Sequence, residues 1–256
     1  QFVERGYENV PRVGGGVIAI NHVSYFDFIF AGKSAEPIGR YVRFMAKDVV
    51  FRHKVAGPLM RGMKHIPVDR EAGAGAYSAA VQSLRDGELV GVFPEGTTSR
   101  SYTIKEFKTG AARMASESGV PLVPLITWGG QRIYTKGRKP DFKTRGRAIS
   151  VTVGEPIGVA PDDDAREVTE HLRGVMAVLL DETIRAHPQG PDGPDDTWWL
   201  PPQYGGTALT REQAHEIEES ERQARLAARR AFASQPLPSH LAVLLGTALP
   251  LLITRL

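Results

Sequence analysis

Short runs of consecutive apolar residues alternate along the chain with longer segments in which apolar residues repeat every three or four positions. The first run, Gly-Val-Ile-Ala-Ile at 16–20, contains no polar residue and is typical of a strand buried on both faces. The same pattern predicts strands at 42–46, 65–68, 89–93, 120–127 and 148–153, and helical periodicity predicts helices at 48–63, 74–85 and 109–118. This alternation predicts an α/β fold with a largely parallel central sheet flanked by helices.

The run at 120–127 differs from the others because it contains Pro121 and Pro124. Proline has no N–H group to donate to a neighbouring strand. We therefore expect this strand to lie at an edge of the sheet or to be irregular.

A longer helix is predicted over 164–185, where apolar positions repeat along one face. Asp162, Asp163 and Asp164 precede it. Acidic side chains that complement a helix N-terminus explain this cluster more simply than a metal site does. No metal ion or cofactor is expected from the sequence.

The remaining C-terminal region has three parts. Residues 187–208 are rich in Pro, Gly and Asp and are predicted to be a linker. Its Trp198 and Trp199 are expected to dock on the surface of the main domain, 1–186, with an interfacial membrane contact as the alternative. A charged helix is predicted over 209–234. The C-terminal segment 235–256 contains an uncharged, almost entirely apolar run at 241–254, which is several residues shorter than the roughly twenty that span a bilayer. The segment therefore packs on the protein or inserts into one leaflet as a membrane-associating tail.

Composition limits the chemistry that the chain can perform. With 256 residues there is room for one substantial core, and the absence of cysteine excludes disulfides, thiolate zinc sites and cysteine nucleophiles. The net charge of +3 is too small to indicate nucleic-acid binding. The pI of 9.2 is compatible with an anionic ligand or a lipid surface.

One segment carries a base and an acid in a useful context. His22 follows the strand at 16–20, and Asp27 lies five residues later, at the start of an apolar helical pattern. Within one helix the two side chains would point about 140° apart. They meet only if His22 lies in the turn that leaves the strand and Asp27 in the first turn of the helix. A base oriented by a carboxylate suits acyl transfer.

The same interval occurs again at His187 and Asp192. Only Pro-Gln-Gly-Pro separates these two residues, with no strand before them and no helix after them. We interpret this second pair as accidental.

Three further segments follow predicted strands or lie within them. They are Phe-Pro-Glu-Gly-Thr-Thr-Ser-Arg at 93–100, His-Ile-Pro-Val-Asp-Arg at 65–70 and Val-Pro-Leu-Val-Pro-Leu at 120–125. The segment at 93–100 offers hydroxyl groups and an arginine that suits bidentate phosphate binding. With Asn-His-Val-Ser-Tyr-Phe-Asp at 21–27, the four segments in this order resemble the glycerolipid acyltransferase family, over roughly residues 6–160.

The resemblance implies that His22 takes a proton from a glycerol hydroxyl while Asp27 orients the imidazole. It further implies that the acceptor's phosphate site is lined by Arg70, Glu95, Gly96, Thr97, Ser99 and Arg100, and that Pro121 and Pro124 shape the acyl-chain or thioester region. To these residues we add Lys47 and Lys108, because a phosphate dianion requires more than one cation. Ser24 suits a helix cap better than a nucleophile.

The reaction expected from this resemblance transfers a fatty acyl group from acyl-CoA or acyl carrier protein to 1-acylglycerol 3-phosphate, giving phosphatidic acid. Glycerol 3-phosphate, another lysophospholipid or a glycolipid would use similar groups as acceptors. A lipid hydrolase and a non-catalytic membrane-binding module remain alternatives of other classes. The expected location is the cytoplasmic face of the cell membrane, with peripheral or monotopic attachment and no nucleic-acid partner.

Overall fold

A computed structural model of the chain describes residues 1–68 and 73–233. In that part of the chain, seven strands form one sheet. The strands are β1 (Phe2–Arg5), β2 (Gly16–Ile20), β3 (Val42–Lys47), β4 (Ile66–Val68), β5 (Leu89–Val92), β6 (Leu122–Trp128) and β7 (Ile149–Val153). The helices are α1 (Asp27–Lys33), α2 (Asp48–Arg52), α3 (Ala56–Gly62), α4 (Gly73–Arg85), α5 (Gly110–Ser118), α6 (Ala165–Arg185) and α7 (Arg211–Ala233).

The strands lie across the sheet in the order β1-β7-β6-β2-β5-β3-β4. All neighbouring pairs are parallel except β6 and β7, which are antiparallel. The predicted α/β fold with a largely parallel sheet is therefore confirmed. The edge strand β1 escaped prediction because its four residues, Phe-Val-Glu-Arg, have neither a continuous apolar run nor a clear alternation.

The central strand β2 is buried on both faces, as its apolar run predicts. Val17 and Ala19 pack in a cluster that includes side chains of α4, α5 and α6. Ile18 and Ile20 face the opposite side, in a cluster that includes Ala31 of α1. Because helices cover both faces, polar chemistry is confined to the ends of the strands.

The proline-containing strand β6 lies inside the sheet, between β2 and β7, so the prediction of an edge position is wrong. Asn21 N–H donates to the carbonyl of Leu125 (3.3 Å), which shows that Leu125 faces β2. Its neighbour Pro124 therefore faces the β7 side, where its carbonyl accepts from Gly154 N–H (2.9 Å). The ladder between β6 and β7 begins only at Leu125, so the missing N–H of Pro124 interrupts no strand pairing.

The helix predicted at 48–63 is two short helices, α2 and α3. Gly57 lies so close to the carbonyl of Phe51 that a Cβ at this position would collide with it. The apolar pattern continues across the break between the helices, and periodicity therefore does not reveal it.

Residues 187–208 pack on the main body of the chain. Trp199 is almost fully buried, with its ring 6.1 Å from the ring of Trp128 and 4.4 Å from the guanidinium of Arg132. The expectation that the tryptophans dock on the domain's own surface is confirmed. At the start of α6, Asp164 accepts from the N–H groups of Arg166 (2.8 Å) and Glu167 (3.0 Å), as expected for an acidic cap.

The chain divides into two compact units at Arg211. Of the second unit, the structure describes α7 up to Ala233, a helix with ion pairs along its surface such as Arg222 with Glu219 (2.7 Å). The apolar segment predicted at 235–256 lies outside the described residues. Among the described helices, none combines the length and the apolar character needed to cross a bilayer.

Candidate active site

The backbone of His22 is fixed from two sides at the carboxyl end of β2. Asn21 extends the pairing with β6, because its Nδ2 donates to the carbonyl of Thr127 (3.1 Å) and its Oδ1 accepts from Thr127 N–H (2.7 Å). His22 N–H then donates to Oε1 of Glu95 (2.9 Å), and Ser99 N–H donates to the carbonyl of His22 (2.7 Å). The loop at 93–100 therefore holds the residue that bears the imidazole.

The imidazole of His22 meets the carboxylate of Asp27. Nδ1 of His22 lies 3.0 Å from Oδ2 of Asp27. Asp27 is the first residue of α1, and its side chain is completely buried. The same oxygen accepts from the N–H groups of Val23 (2.8 Å) and Ser24 (2.7 Å), and Oδ1 accepts from the hydroxyl of Thr127 (2.8 Å). An ionised carboxylate only accepts, so Nδ1 carries the proton and Nε2 is left as a base.

Thr98 contacts the basic nitrogen of this ring. Its hydroxyl oxygen lies 3.1 Å from Nε2 of His22 and is itself buried. The ring also packs on Phe93, with centroids 4.4 Å apart, and its side chain is 20% exposed. Thr98 was not among the residues expected from the sequence, although it belongs to the predicted loop.

The exposed part of the ring opens into a pocket of about 300 Å³. One end of the pocket is apolar and the other is formed by Gly96, Lys108 and the start of α5. Gly96 has φ +70°, a conformation that residues with a side chain rarely adopt, and a Cβ there would lie 3.1 Å from Nζ of Lys108. Because α5 directs its N-terminus here beside an ammonium group, this end of the pocket favours an anion. The apolar end includes Met45, Val92 and Met114.

Glu95 lies behind His22 and does not line this pocket. Burial raises the pKa of its carboxyl group to about 8, although the hydrogen bond from the N–H of His22 opposes the rise. The carboxyl group is therefore largely protonated near neutral pH. It holds the backbone of His22 without adding a full negative charge beside Asp27.

The other residues predicted for the acceptor site are placed as follows. Thr97 is exposed and accepts from Nζ of Lys105 (2.9 Å), whereas Ser99 is buried and donates to the carbonyl of Thr103 (2.9 Å). Arg100 packs its guanidinium against Gly137. Their roles in binding stay predictions.

The remaining residues predicted from the sequence are two cations, Lys47 and Arg70, and two prolines. Lys47 is the last residue of β3, and Arg70 lies outside the described residues. Pro121 and Pro124 are not among the residues that line the pocket. Pro124 pairs with Ala19 near the end of β2, and Pro121 precedes β6, so their role in the acyl-chain region stays a prediction.

The second His-x4-Asp interval forms no pair. His187 Nδ1 lies 2.8 Å from the hydroxyl of Ser150, and burial lowers the pKa of this imidazole to about 4. Asp192 binds Arg132 (2.9 Å) and Arg147 (2.8 Å) instead. Nor do the described residues contain a group of three or more His, Asp or Glu side chains arranged to hold a metal ion.

Known proteins resemble this chain in sequence. A family model described as Acyltransferase matches residues 1–128. The 1-acyl-sn-glycerol-3-phosphate acyltransferase of Bacillus subtilis (strain 168) is 31% identical over 183 residues, which cover 70% of this chain and 83% of that protein. The N-acylphosphatidylethanolamine synthase of Arabidopsis thaliana is 32% identical over 167 residues, covering 56% of this chain and 58% of that protein.

A solved structure supports the fold independently. The crystal structure of the 1-acyl-sn-glycerophosphate acyltransferase PlsC from Thermotoga maritima aligns with a TM-score of 0.62 at 23% identity, over 74% of each chain. At this identity the similarity concerns the fold alone.

Proposed function

The chain belongs to the acyltransferase family, and from that premise we propose that it transfers a fatty acyl group from a thioester donor to the free hydroxyl of 1-acylglycerol 3-phosphate, giving phosphatidic acid. The observation that carries this proposal is the pairing of His22 with buried Asp27 at the mouth of a pocket whose other end favours an anion. The relatives named 1-acyl-sn-glycerol-3-phosphate acyltransferase support the choice of acceptor.

In the proposed reaction, Nε2 of His22 accepts the proton of the acceptor hydroxyl as the hydroxyl oxygen attacks the thioester carbonyl. A C–O bond forms, the C–S bond breaks, and the proton passes from His22 to the departing thiolate. Asp27 keeps the proton of the resting imidazole on Nδ1 and stabilises the imidazolium. Ser24 is not the nucleophile, because its buried hydroxyl donates to the carbonyl of Tyr134 (2.8 Å) and accepts from Phe26 N–H (3.1 Å).

The acceptor's phosphate is proposed to bind at the polar end of the pocket. Lys108 provides an ammonium group there, and Thr109, the N-cap of α5, forms no side-chain hydrogen bond across the first turn. Anions bind well to such helix ends, because the first N–H groups have no partners inside the helix.

The acyl chain is proposed to lie in an apolar groove of about 790 Å³ between α1, β3 and the end of α3. Phe28, Ile29 and Phe44 line this groove. Phe44 stacks on Phe93 (centroids 6.3 Å apart), and Phe93 packs on His22, so the groove lies beside the reacting centre. Each buried methylene contributes about 0.8 kcal/mol to chain binding.

Further expectations belong to the same proposal. The donor is acyl-CoA or acyl carrier protein, and the enzyme works at the cytoplasmic face of the cell membrane. Residues 235–256 are proposed to associate with that membrane. The name of the related N-acylphosphatidylethanolamine synthase indicates a different acceptor for that enzyme, so the test includes other lipid acceptors.

A thiol-release assay on the purified chain tests the reaction. Both donor types are crossed with 1-acylglycerol 3-phosphate, glycerol 3-phosphate and a lysophospholipid without a phosphomonoester. We expect acceptor-dependent release that is lost in His22→Ala. The matched control His187→Ala should retain it, because the aspartate of this second interval, Asp192, pairs with Arg132. Release that does not depend on an acceptor would indicate a hydrolase. Near-normal release by His22→Ala would contradict the proposal.

A further inference from the structure

Four aromatic rings form a contiguous surface cluster beside the active-site loop. Tyr25 and Tyr134 have centroids 4.6 Å apart, Phe26 and Phe142 are 6.1 Å apart, and Tyr134 contacts both phenylalanines (5.9 and 6.2 Å). Phe142 is 66% exposed and Tyr25 41% exposed. Exposed aromatic rings that contact one another make this surface a candidate interaction site.

The segment that carries Phe142 is strongly basic. Between residues 136 and 147 the chain has six Lys and Arg side chains against one carboxylate, Asp141. That carboxylate is engaged within the loop, because it accepts from the N–H groups of Lys143 and Thr144 (3.1 Å each) and lies 3.6 Å from Arg147. The exposed cations of this stretch include Lys139, Lys143 and Arg145.

The cluster is tied to the catalytic loop. Tyr25 and Phe26 lie in sequence between His22 and Asp27, and Tyr25 N–H donates to the carbonyl of Tyr134 (3.1 Å). The loop that orients the base and the surface formed by the rings are therefore directly connected.

A second apolar region with basic neighbours lies at the same edge of the sheet. Helix α2 follows the carboxyl end of β3. Strand β3 is parallel to β5, and β5 is parallel to β2, so β3 and β2 end at the same edge of the sheet. In the segment that joins α2 to α3 and in α3 itself, Val55 is 76% exposed and Leu59 61% exposed. Arg52 and Lys54 are exposed beside them.

We propose that an aromatic–basic patch docks on an anionic lipid surface and so orients the chain with His22 facing the lipid. The patch is formed by the rings of Tyr25 and Phe142 with Lys139, Lys143 and Arg145. The inference rests on the proposed function, because the acceptor in that reaction is a lipid. Aromatic rings prefer the headgroup region of a bilayer, and lysine and arginine are attracted to anionic lipid. An acidic donor protein would require the cations but not the exposed rings.

Site-specific labelling tests which face meets the lipid. The chain has no cysteine, so Lys143→Cys and Val13→Cys each accept a single environment-sensitive fluorophore. Val13 is 86% exposed and precedes β2, at the opposite end of that strand from His22. With vesicles of equimolar phosphatidylcholine and phosphatidylglycerol, the label at 143 is expected to brighten, shift to the blue and be quenched by brominated acyl chains. Equal responses at both sites, or a response only at 13, would overturn the proposal.

Variants give a second, independent readout. Phe142→Ser/Lys143→Glu is expected to lower partitioning onto the same vesicles about tenfold. Arg12→Glu/Val13→Ser, which also loses one cation and one apolar side chain, should bind like the unaltered chain. If the patch variant binds vesicles normally but loses turnover only with an acyl carrier protein donor, the patch docks a protein and the lipid proposal is wrong.

The outcomes separate this inference from the proposed reaction, because neither readout requires turnover. A failed labelling test with normal acyl transfer overturns the docking surface alone. Absence of acyl transfer with a normal response at 143 overturns the reaction and supports the docking surface. Both variants should unfold on heating at the same temperature as the unaltered chain, which shows that they are folded.

Discussion

Replacing Asp27 by asparagine separates the charge of this carboxylate from its structural hydrogen bonds. Asp27 interacts with four groups: His22 Nδ1, the N–H groups of Val23 and Ser24, and the hydroxyl of Thr127. The amide oxygen of asparagine can take the place of Oδ2 and accept from the first three. Its NH2 group then faces the Thr127 hydroxyl, which rotates to accept. The loop keeps its hydrogen bonds and loses only the negative charge.

The expected effects on rate and stability therefore differ. Without the charge, the imidazolium that forms during acyl transfer is not stabilised, and turnover should fall by ~10²–10⁴-fold. Asp27→Ala should lose a similar amount of activity but also leaves the N–H groups of Val23 and Ser24 buried without partners. At ~1–3 kcal/mol for each unsatisfied group, the alanine variant should lose about 2–6 kcal/mol of unfolding free energy.

Thiol release at saturating substrate measures turnover, and urea unfolding measures stability. Asp192→Asn is the matched control, because Asp192 belongs to the second His-x4-Asp interval but binds Arg132 and Arg147. It should keep normal turnover. The reasoning fails if Asp27→Asn retains turnover within a few-fold, or if asparagine destabilises the chain as much as alanine does.

Three further predictions follow from the same site. Thr98→Val should lower turnover ~2–12-fold, since the ring of His22 loses one hydrogen bond, whereas Thr98→Ser should retain turnover in the same assay. Lys108→Ala should raise the KM for the acceptor with little change in the KM for the donor, and an unchanged acceptor KM would remove Lys108 from the phosphate site. Glu95→Gln should be as stable as the original chain near pH 4 and more stable above pH 8, as measured by thermal unfolding.

The pH dependence predicted for Glu95 follows from its raised pKa. Below its ordinary value of 4.5 the carboxyl group is protonated in both the folded and the unfolded chain, so burial of the group has no electrostatic cost. As the pH rises from 4.5 to about 8, the unfolded chain releases the proton before the folded chain does, and stability falls by ~1.4 kcal/mol for each pKa unit. Glutamine keeps an acceptor for the N–H of His22 and cannot ionise. A glutamine variant whose melting temperature follows the same pH curve as the original chain would show that Glu95 is not the cause.

Much of the site could be predicted because it is local in sequence. A buried strand, a turn and a helix occur within residues 16–33, and this order brings His22 and Asp27 into contact. The loop at 93–100 could be predicted as a neighbour, because parallel strands end at the same edge of a sheet. Lys108 could be placed there from its position just before α5.

Contacts between distant segments escaped prediction. Thr127 binds both Asn21 and Asp27 across about a hundred residues, and no local pattern marks this threonine. The same limit applies to Glu95, whose sequence suggests a ligand contact but whose carboxyl group holds the backbone of His22. The edge position assigned to β6 was wrong for a related reason: the direction in which Pro124 faces depends on its neighbouring strands and not on its own sequence.

The two His-x4-Asp intervals show why residue spacing has little value without its structural context. In the first, a buried strand ends two residues before the base, and the helix that follows brings the acid back to Nδ1 of His22. In the second, His187 follows the end of α6 and contacts Ser150, and burial lowers the pKa of its imidazole to about 4. An imidazole in that environment stays neutral throughout the physiological range and has no carboxylate to stabilise its charged form. The ability of His22 to act as a base therefore comes from the strand, the turn and the helix around it. The spacing of the histidine and the aspartate alone does not provide this ability.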